Sequence, residues 1–113
     1  MPLHGELVAL DARLRNVTVT APEYRLYALD TVPAKPGLVR VGTGGAAIQV
    51  EVYDLPIANV GAFLSGIVSP LGLGTVRLDD GDEVHGFLCE QVAVEGTADV
   101  SAHGGWRAYV DSR

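Results

Sequence analysis

The first residues of the chain repeat apolar side chains with the period of an α-helix. Leucines recur at steps of four, three and four residues, at positions Leu3, Leu7, Leu10 and Leu14. Such spacing places the leucines along one face of a helix. The pattern therefore predicts an amphipathic helix that ends near Asn16.

From Val17 onward, apolar and polar positions alternate, which is the period of a β-strand. Strands are predicted over residues 17–20, 23–30, 37–41 and 46–55. The last of these has the clearest alternation, with Ile48, Val50 and Val52 on one face. Pro and Gly punctuate residues 31–37, which are predicted to form an ordered surface loop.

The middle of the chain returns to the helical period. Asp54 followed by Pro56 is a usual way to begin a helix. An apolar stripe follows at Val60, Phe63, Leu64 and Ile67. This second helix is predicted to end over residues 66–70, and residues 69–74 are predicted to form a turn.

The last third of the chain has the pattern of a hairpin. Residues 74–78 and 84–94 are predicted strands, joined by the acidic turn 79–83, in which Gly81 can adopt a positive φ. A loop is expected over residues 95–105. Residues 106–110 fit either a short strand or a helical turn.

Six or so short strands and two helices define an α+β fold. The expected architecture is a small, mixed, mostly antiparallel β-barrel or curved sheet with two flanking helices. With 113 residues, of which 48% are hydrophobic and 19% charged, the chain is expected to form a single domain over residues 1–113.

Composition and charge exclude several classes of function. No apolar run approaches the ~20 residues of a membrane helix, and the first residues lack the layout of a signal peptide, so a cytoplasmic protein is expected. The net charge is −6, from 14 acidic and 8 basic residues that do not cluster, which argues against a nucleic-acid partner. Cys89 is the single cysteine, so no intramolecular disulfide is expected, and a packed, unreactive thiol is the favoured interpretation.

A glycine pair in the segment SPLGLGTVRL is the first candidate for a ligand site. In a turn, Gly72 and Gly74 would allow backbone amides to approach a ligand carboxylate. The alternative is that the glycines only allow the chain to reverse. No Lys-Ser/Thr pair follows them, so a nucleotide-binding P-loop is not expected.

The histidines do not predict a metal site. His4, His85 and His103 are far apart in sequence and share no ligand spacing, and no metal or other cofactor is expected. His4 differs from the other two because it lies on the first turn of the predicted helix, where partial burial would place its pKa near neutrality.

Cationic and hydroxyl side chains from which an anion pocket could be built occur in three segments. The candidates are Arg25 and Tyr27, then Lys35, and finally the segment 104–110 with its Trp, Arg and Tyr. Taken singly, each also fits a surface charge or an aromatic residue at the edge of a core.

Seven collinear segments resemble the C-terminal domain of allophanate hydrolase. These segments are PLHGEL with LDARL (residues 2–14), TAPEYRLYAL (20–29), KPGLVRV (35–41), IQVEVYDLP (48–56), SPLGLGTVRLDDG (69–81), VHGFLCE (84–90) and GGWRAYV (104–110). The resemblance covers almost the whole chain. It implies a fold similar to the γ-glutamylcyclotransferases, a small mixed barrel with flanking helices.

The same resemblance implies a function. In that family an amidase domain first releases ammonia from allophanate, and the C-terminal domain is implicated in converting the resulting N-carboxycarbamate to carbon dioxide and ammonia. This chain has no amidase Ser-Ser-Lys machinery, and it begins after the Gly-Ala-His-Leu-like segment that usually precedes the family's PL motif. The γ-glutamylcyclotransferases use a carboxylate near the end of the helix that corresponds to residues 67–70. These residues contain no acid here, so glutamyl cyclisation is disfavoured.

A mechanism that fits this reaction, with one positioned acid and groups that hold the carboxylates, leads to a residue assignment. His4 is the expected proton donor, and Lys35, or Arg25 with Tyr27, is the expected clamp for a small anionic carboxylate. The backbone at Gly72, Gly74 and Thr75 would form the cradle. Whether the chain is an enzyme is left open, because two alternatives remain: a non-catalytic companion or assembly subunit of a separately encoded amidohydrolase, and a small-metabolite-binding module. The expected macromolecular partners are a separately encoded amidase or a second copy of the chain in a homodimer, because an unpaired sheet edge invites strand addition.

Overall fold

The computed structural model describes residues 9–32, 34–67 and 71–113. Within these ranges the strands are β1 (Arg13–Val19), β2 (Tyr24–Ala28), β3 (Pro36–Arg40), β4 (Gln49–Asp54), β5 (Leu71–Arg77), β6 (Glu83–Cys89) and β7 (Ala98–Asp99). The α-helices are α1 (Val60–Ser65), α2 (Gln91–Val94) and α3 (Trp106–Asp111). Two 3-10 turns, Ile57–Asn59 and Ser101–His103, complete the described elements.

The strands form three antiparallel sheets. Strand β1 pairs with β4, strand β2 lies between β3 and β7, and β5 pairs with β6. The prediction of an α+β fold with mostly antiparallel strands is thus confirmed. The barrel alternative is not: in the described part of the chain the three sheets are separate ladders and do not close into a barrel.

A short segment around Thr20 joins the sheets. The Thr20 N–H donates to the Ile48 carbonyl at 2.9 Å, and the Ile48 N–H donates back to Thr20 Oγ1 at 3.0 Å. The next residue, Ala21, donates its N–H to the carbonyl of Arg77 at 2.9 Å. Within the described residues the sheets share no paired strand, and hydrogen bonds from a few buried residues therefore hold them together.

Apolar side chains cover both faces of the β3-β2-β7 sheet. The first core cluster comprises Tyr24, Leu26, Ile48, Val76 and Val100. The second core cluster comprises Leu29, Val39, Cys89 and Val94. Successive side chains of a strand point to opposite faces, and β2 accordingly contributes Leu26 to the first cluster while Tyr27 packs against the second.

The predicted N-terminal helix ends earlier than Asn16: in the described residues Ala9 is helical, and Leu10 and Asp11 form a turn. Asp11 has a left-handed φ of 62°, after which the chain enters β1 at Arg13. Asn16, predicted as the helix end, lies inside this strand, and Leu14 pairs with Tyr53 and is 48% exposed. The part of the prediction that concerns Leu3 and Leu7 lies outside the described residues.

Other boundaries also shift. The second predicted helix is divided into a 3-10 turn and the six-residue α1, and the strand predicted over residues 84–94 ends at Cys89, before α2. The predicted turn over 69–74 is wrong for residues 71–74, which belong to β5. The hairpin turn is confirmed, with Gly81 at φ 92°, and residues 106–111 form a helix.

Candidate functional site

The glycine pair lies in the middle of a regular antiparallel ladder. Gly72 is opposite Leu88, and Gly74 is opposite Gly86. Because the two glycines are two positions apart, they share one face of β5. Their amides therefore belong to a regular strand. They do not form the loop of free backbone amides that the sequence predicted as a cradle for an anion.

A shallow groove of about 220 Å³ runs along this strand, lined by residues 71–74 and 88–90. A Cβ atom added to Gly72 would meet nothing within 4 Å, whereas one added to Gly74 would lie 2.8 Å from Leu88 Cδ1. Gly72 thus opens space on the surface, while Gly74 makes room for Leu88.

The electrostatics of this groove do not favour an anion on their own. Within its described lining, Glu90 carries the only charge, and no Lys or Arg contributes to the wall. A doubly negative ligand bound here would depend on cations from outside the lining.

Cys89 also lines the groove, but its chemistry is passive. The residue is 8% exposed and belongs to the second core cluster. Burial, with a smaller contribution from the negative charge of Glu90, raises the pKa of the thiol. A raised pKa disfavours the nucleophilic thiolate, which agrees with the interpretation of Cys89 as a packed thiol.

Arg25 is engaged in an ion pair within the protein. Its Nε donates to Asp99 Oδ2 at 2.9 Å, and its Nη1 donates to the Gly44 carbonyl at 3.2 Å. Burial raises the pKa of Asp99, but hydrogen bonds from Ser101 and the Arg25 guanidinium outweigh this effect and hold it below its ordinary value. Arg25 therefore ties β2 to β7 and to the loop before β4.

Of the other predicted site residues, Tyr27 is the one linked most directly to the groove. It packs against the second core cluster, which contains Cys89 and is also contacted by Leu71. Lys35 is exposed in the loop before β3, where its carbonyl accepts the Leu29 N–H at 2.8 Å. Thr75 is exposed on β5, opposite His85.

The histidines remain apart in the described structure. His85 is exposed on β6, and His103 stacks edge-on with Tyr109 at a centroid distance of 5.3 Å. His4 lies outside the described residues. Among residues 9–32, 34–67 and 71–113, no group of three or more His, Cys, Asp or Glu side chains is arranged to hold a metal ion.

A second, larger cleft of about 410 Å³ was not predicted from the sequence. It is lined by residues 28–31, Ala34, residues 96–98, Tyr109 and Arg113. We call it the α3 cleft, because helix α3 and the residues after it form one wall. Tyr109 was a candidate by its hydroxyl, but Asp30 and Arg113 carried no motif that would have indicated a shared site.

Three antiparallel sheets joined around a buried threonine, with short helices at their edges, define a small α+β domain. No helix in the described ranges is long and apolar enough to cross a membrane. The sequence matches the family model described as "Allophanate hydrolase C-terminal domain" over residues 1–111. The chain belongs to this family, as the resemblance of its seven segments implied.

Relatives place the domain in two contexts. The chain is 41% identical over 116 residues to the urea amidolyase of Lachancea kluyveri, covering 98% of this chain but only 6% of that protein. It matches the allophanate hydrolase structure from Kluyveromyces lactis with a TM-score of 0.93 and 39% identity, over 99% of this chain and 19% of that one. It also matches a uropathogenic E. coli-specific protein with a TM-score of 0.87 and 31% identity, over 98% of this chain and 86% of that one.

Proposed function

We propose that this chain performs the carbon dioxide-releasing half of allophanate breakdown, in which N-carboxycarbamate yields carbon dioxide and ammonia. The observation that carries the proposal is the match to the allophanate hydrolase C-terminal domain over residues 1–111. The substrate would be the small anionic product of an amidase. A cytoplasmic location and a fold related to the γ-glutamylcyclotransferases belong to the same proposal and rest on the same resemblance.

The proposed chemistry needs a proton donor at nitrogen. A proton is added to the nitrogen of N-carboxycarbamate, the C–N bond breaks with its electron pair staying on nitrogen, and one carboxylate leaves as carbon dioxide. The remaining carbamate takes a second proton and divides in the same way into ammonia and a second carbon dioxide. A positioned acid accelerates such a step by about 10²–10⁴-fold.

In this proposal His4 donates the proton, because histidine titrates near neutrality. Lys35 is the favoured anion clamp, since it is exposed and has no ion-pair partner within the described residues. Arg25 is less suited, because Asp99 already neutralises its charge at 2.9 Å. Tyr27 and the open groove at Gly72 complete the proposed substrate contacts. Gly74 does not take part, because Leu88 occupies the space beside it, and Thr75 lies on the opposite face of β5.

A coupled assay tests the enzyme proposal. A separate amidase generates N-carboxycarbamate from allophanate, and the release of carbon dioxide is followed with and without this chain. We expect release above the spontaneous rate, a loss of at least about tenfold in His4→Gln, and a raised KM in Lys35→Gln. Arg15→Gln is the control, because Arg15 is an exposed cation on β1. Release no faster than the uncatalysed decay would refute catalysis by this chain.

A second function, an assembly subunit, is favoured by the exposure of β1. In the described structure β4 is the only strand paired with β1, apart from a hydrogen bond at its end from the Asp79 N–H to the Val19 carbonyl, and Leu14 and Val17 are 48% and 50% exposed. An edge of this kind is suited to strand addition from a second copy or from a separately encoded amidase. Native mass spectrometry, alone and with the amidase, distinguishes these partners. A chain that stays monomeric in both samples would exclude the assembly role.

A further inference from the structure

The α3 cleft contains one cation and one anion that are not paired with each other. Its volume of about 410 Å³ is that of a small-molecule site. Asp30 and Arg113 both line it, and within the described residues neither has an ion-pair partner. Arg113 rests over the Tyr109 ring, with its guanidinium carbon 5.6 Å from the ring centroid. This stacking leaves the N–H donors of the guanidinium available.

Two hydroxyl groups in the same cleft lining differ in whether they can donate or accept a hydrogen bond. Thr97 Oγ1 donates its proton to the Val94 carbonyl at 2.7 Å, so its oxygen is left as an acceptor. The Tyr109 hydroxyl has no hydrogen-bond partner within the described residues and is available as a donor. The cleft therefore offers a donor pair, Arg113 with Tyr109, and an acceptor pair, Asp30 with Thr97.

The backbone of the cleft walls is already hydrogen-bonded. Leu29 N–H donates to the Lys35 carbonyl at 2.8 Å, Thr31 N–H to the Leu29 carbonyl at 2.9 Å, and Thr97 N–H to the Val94 carbonyl at 3.0 Å. These bonds fix the shape of both wall segments before any ligand enters. A preorganised wall lowers the entropic cost of binding.

We propose that the α3 cleft binds a small zwitterion of the amino-acid class. Its carboxylate is bound by Arg113 and Tyr109, and its ammonium group by Asp30 and Thr97. A dianion such as N-carboxycarbamate is a poor fit, because Asp30 would repel its second charge. This is a ligand site in addition to the one in the proposed function and does not depend on it.

Binding of γ-aminobutyrate and glycine to the chain, followed by calorimetry and by amide NMR shifts, tests the proposal without any amidase. We expect at least one of them to saturate with a Kd of about 1 mM or tighter and to shift the amides of residues 28–31 and 96–98. Acetate and methylammonium, which carry one charge each, are expected to bind at least about tenfold more weakly. Equal binding of acetate, or no saturable shift with either amino acid, would overturn the proposal.

Charge-removing variants locate the site. Asp30→Asn and Arg113→Gln are each expected to weaken zwitterion binding by about tenfold, equivalent to the loss of one charge-assisted contact. Asp82→Asn and Arg15→Gln are the matched controls on exposed residues outside the cleft, and these should bind as the parent does. Unchanged affinity in both cleft variants would reject this site even if the chain binds amino acids elsewhere.

Discussion

At the level of single residues, the two glycines of β5 have different roles although they share one face. A methyl group on Gly74 would contact Leu88, which packs against the first core cluster, and Gly72 faces open space. Gly74→Ala is therefore expected to lower the free energy of unfolding by about 1–2 kcal/mol through overpacking. Gly72→Ala should change it by less than about 0.5 kcal/mol. Urea unfolding of both variants measures the difference.

The same pair of variants also tests the groove as a substrate site. If the groove binds the substrate, Gly72→Ala raises KM in the coupled assay while stability is retained, because the methyl group occupies the open space. A Gly72→Ala chain with unchanged kinetics would place the substrate elsewhere. Equal destabilisation by both substitutions would contradict the distinct surroundings of the two glycines.

The ion pair between Arg25 and Asp99 predicts a specific pH dependence. The folded pKa of Asp99 is lowered, so its contribution to stability is present above the unfolded pKa of about 3.9 and is lost as the pH falls through the folded pKa. Asp99→Asn should cost about 1 kcal/mol or less at pH 7, because the pair is partly exposed. The difference from the parent should shrink below about pH 4.

Urea unfolding between pH 3 and pH 7 measures this effect. Asp82→Asn, in the exposed hairpin turn, is the control, and its pH profile should follow that of the parent. A constant difference between Asp99→Asn and the parent across the range would show that the ionisation of Asp99 does not contribute.

At the level of elements, helix α1 is held to the β5-β6 hairpin by an aromatic contact. Phe63 and Phe87 have ring centroids 5.4 Å apart. Phe63→Ala is expected to lower the free energy of unfolding by about 1–2 kcal/mol, less than for a fully buried ring because Phe63 is half-buried. Leu64→Ala, on the exposed side of the same helix, should cost about 0.5 kcal/mol or less.

Hydrogen exchange gives a more local measurement. Amide protection in α1 should fall in Phe63→Ala and be retained in Leu64→Ala, because only the first substitution removes the contact with β6. Similar exchange rates in the two variants would mean that α1 is held by other contacts.

Element types were predicted well from the sequence where one period persisted, and poorly where a local irregularity interrupted it. The alternation of β4 placed Ile48 and Val52 on the buried face correctly. In β1, a bulge between Leu14 and Asn16 breaks the alternation. The leucine repeat therefore predicted a helix as far as Asn16, and nothing in the repeat indicated the left-handed Asp11 that turns the chain into the strand.

The glycine pair shows how a turn prediction can fail for a similar reason. Glycine in isolation favours a turn, but Gly74 and Gly86 lie equally far from Asp80 in the hairpin turn, and a symmetric hairpin pairs them. Leu88 lies over Gly74, and Val76 lies over Gly86. The equal spacing of Gly74 and Gly86 from the hairpin turn could have been seen in the sequence. The α3 cleft had no such signal, because its wall residues come from three distant segments.

At the level of the whole molecule, family membership fixes the fold more firmly than it fixes the activity. The chain corresponds to 6% of a urea amidolyase and to 86% of a small E. coli protein. The same domain thus occurs within a long enzyme and in a chain of nearly its own size. A function that needs an attached amidase domain would be available only in the first context.

Thr20 links separate sheets of the domain through its hydrogen bonds. It is fully buried, and its hydroxyl accepts the Ile48 N–H at 3.0 Å while donating to the Ala21 carbonyl at 2.9 Å. Thr20→Val keeps the shape but leaves two buried backbone groups without this partner, and it should cost about 1–3 kcal/mol. Thr18→Val, two residues earlier in β1, is the control, because its hydroxyl makes only a 3.5 Å exposed contact with Asp79.

Unfolding of both variants is followed by the fluorescence of Trp106 and by far-ultraviolet circular dichroism. If the sheets form one cooperative unit through this junction, the two probes coincide in the parent chain and in Thr18→Val. In Thr20→Val the common midpoint moves to lower urea. Separate transitions for the two probes in the parent would show that the sheets unfold independently, and an unshifted midpoint in Thr20→Val would show that other contacts hold them together.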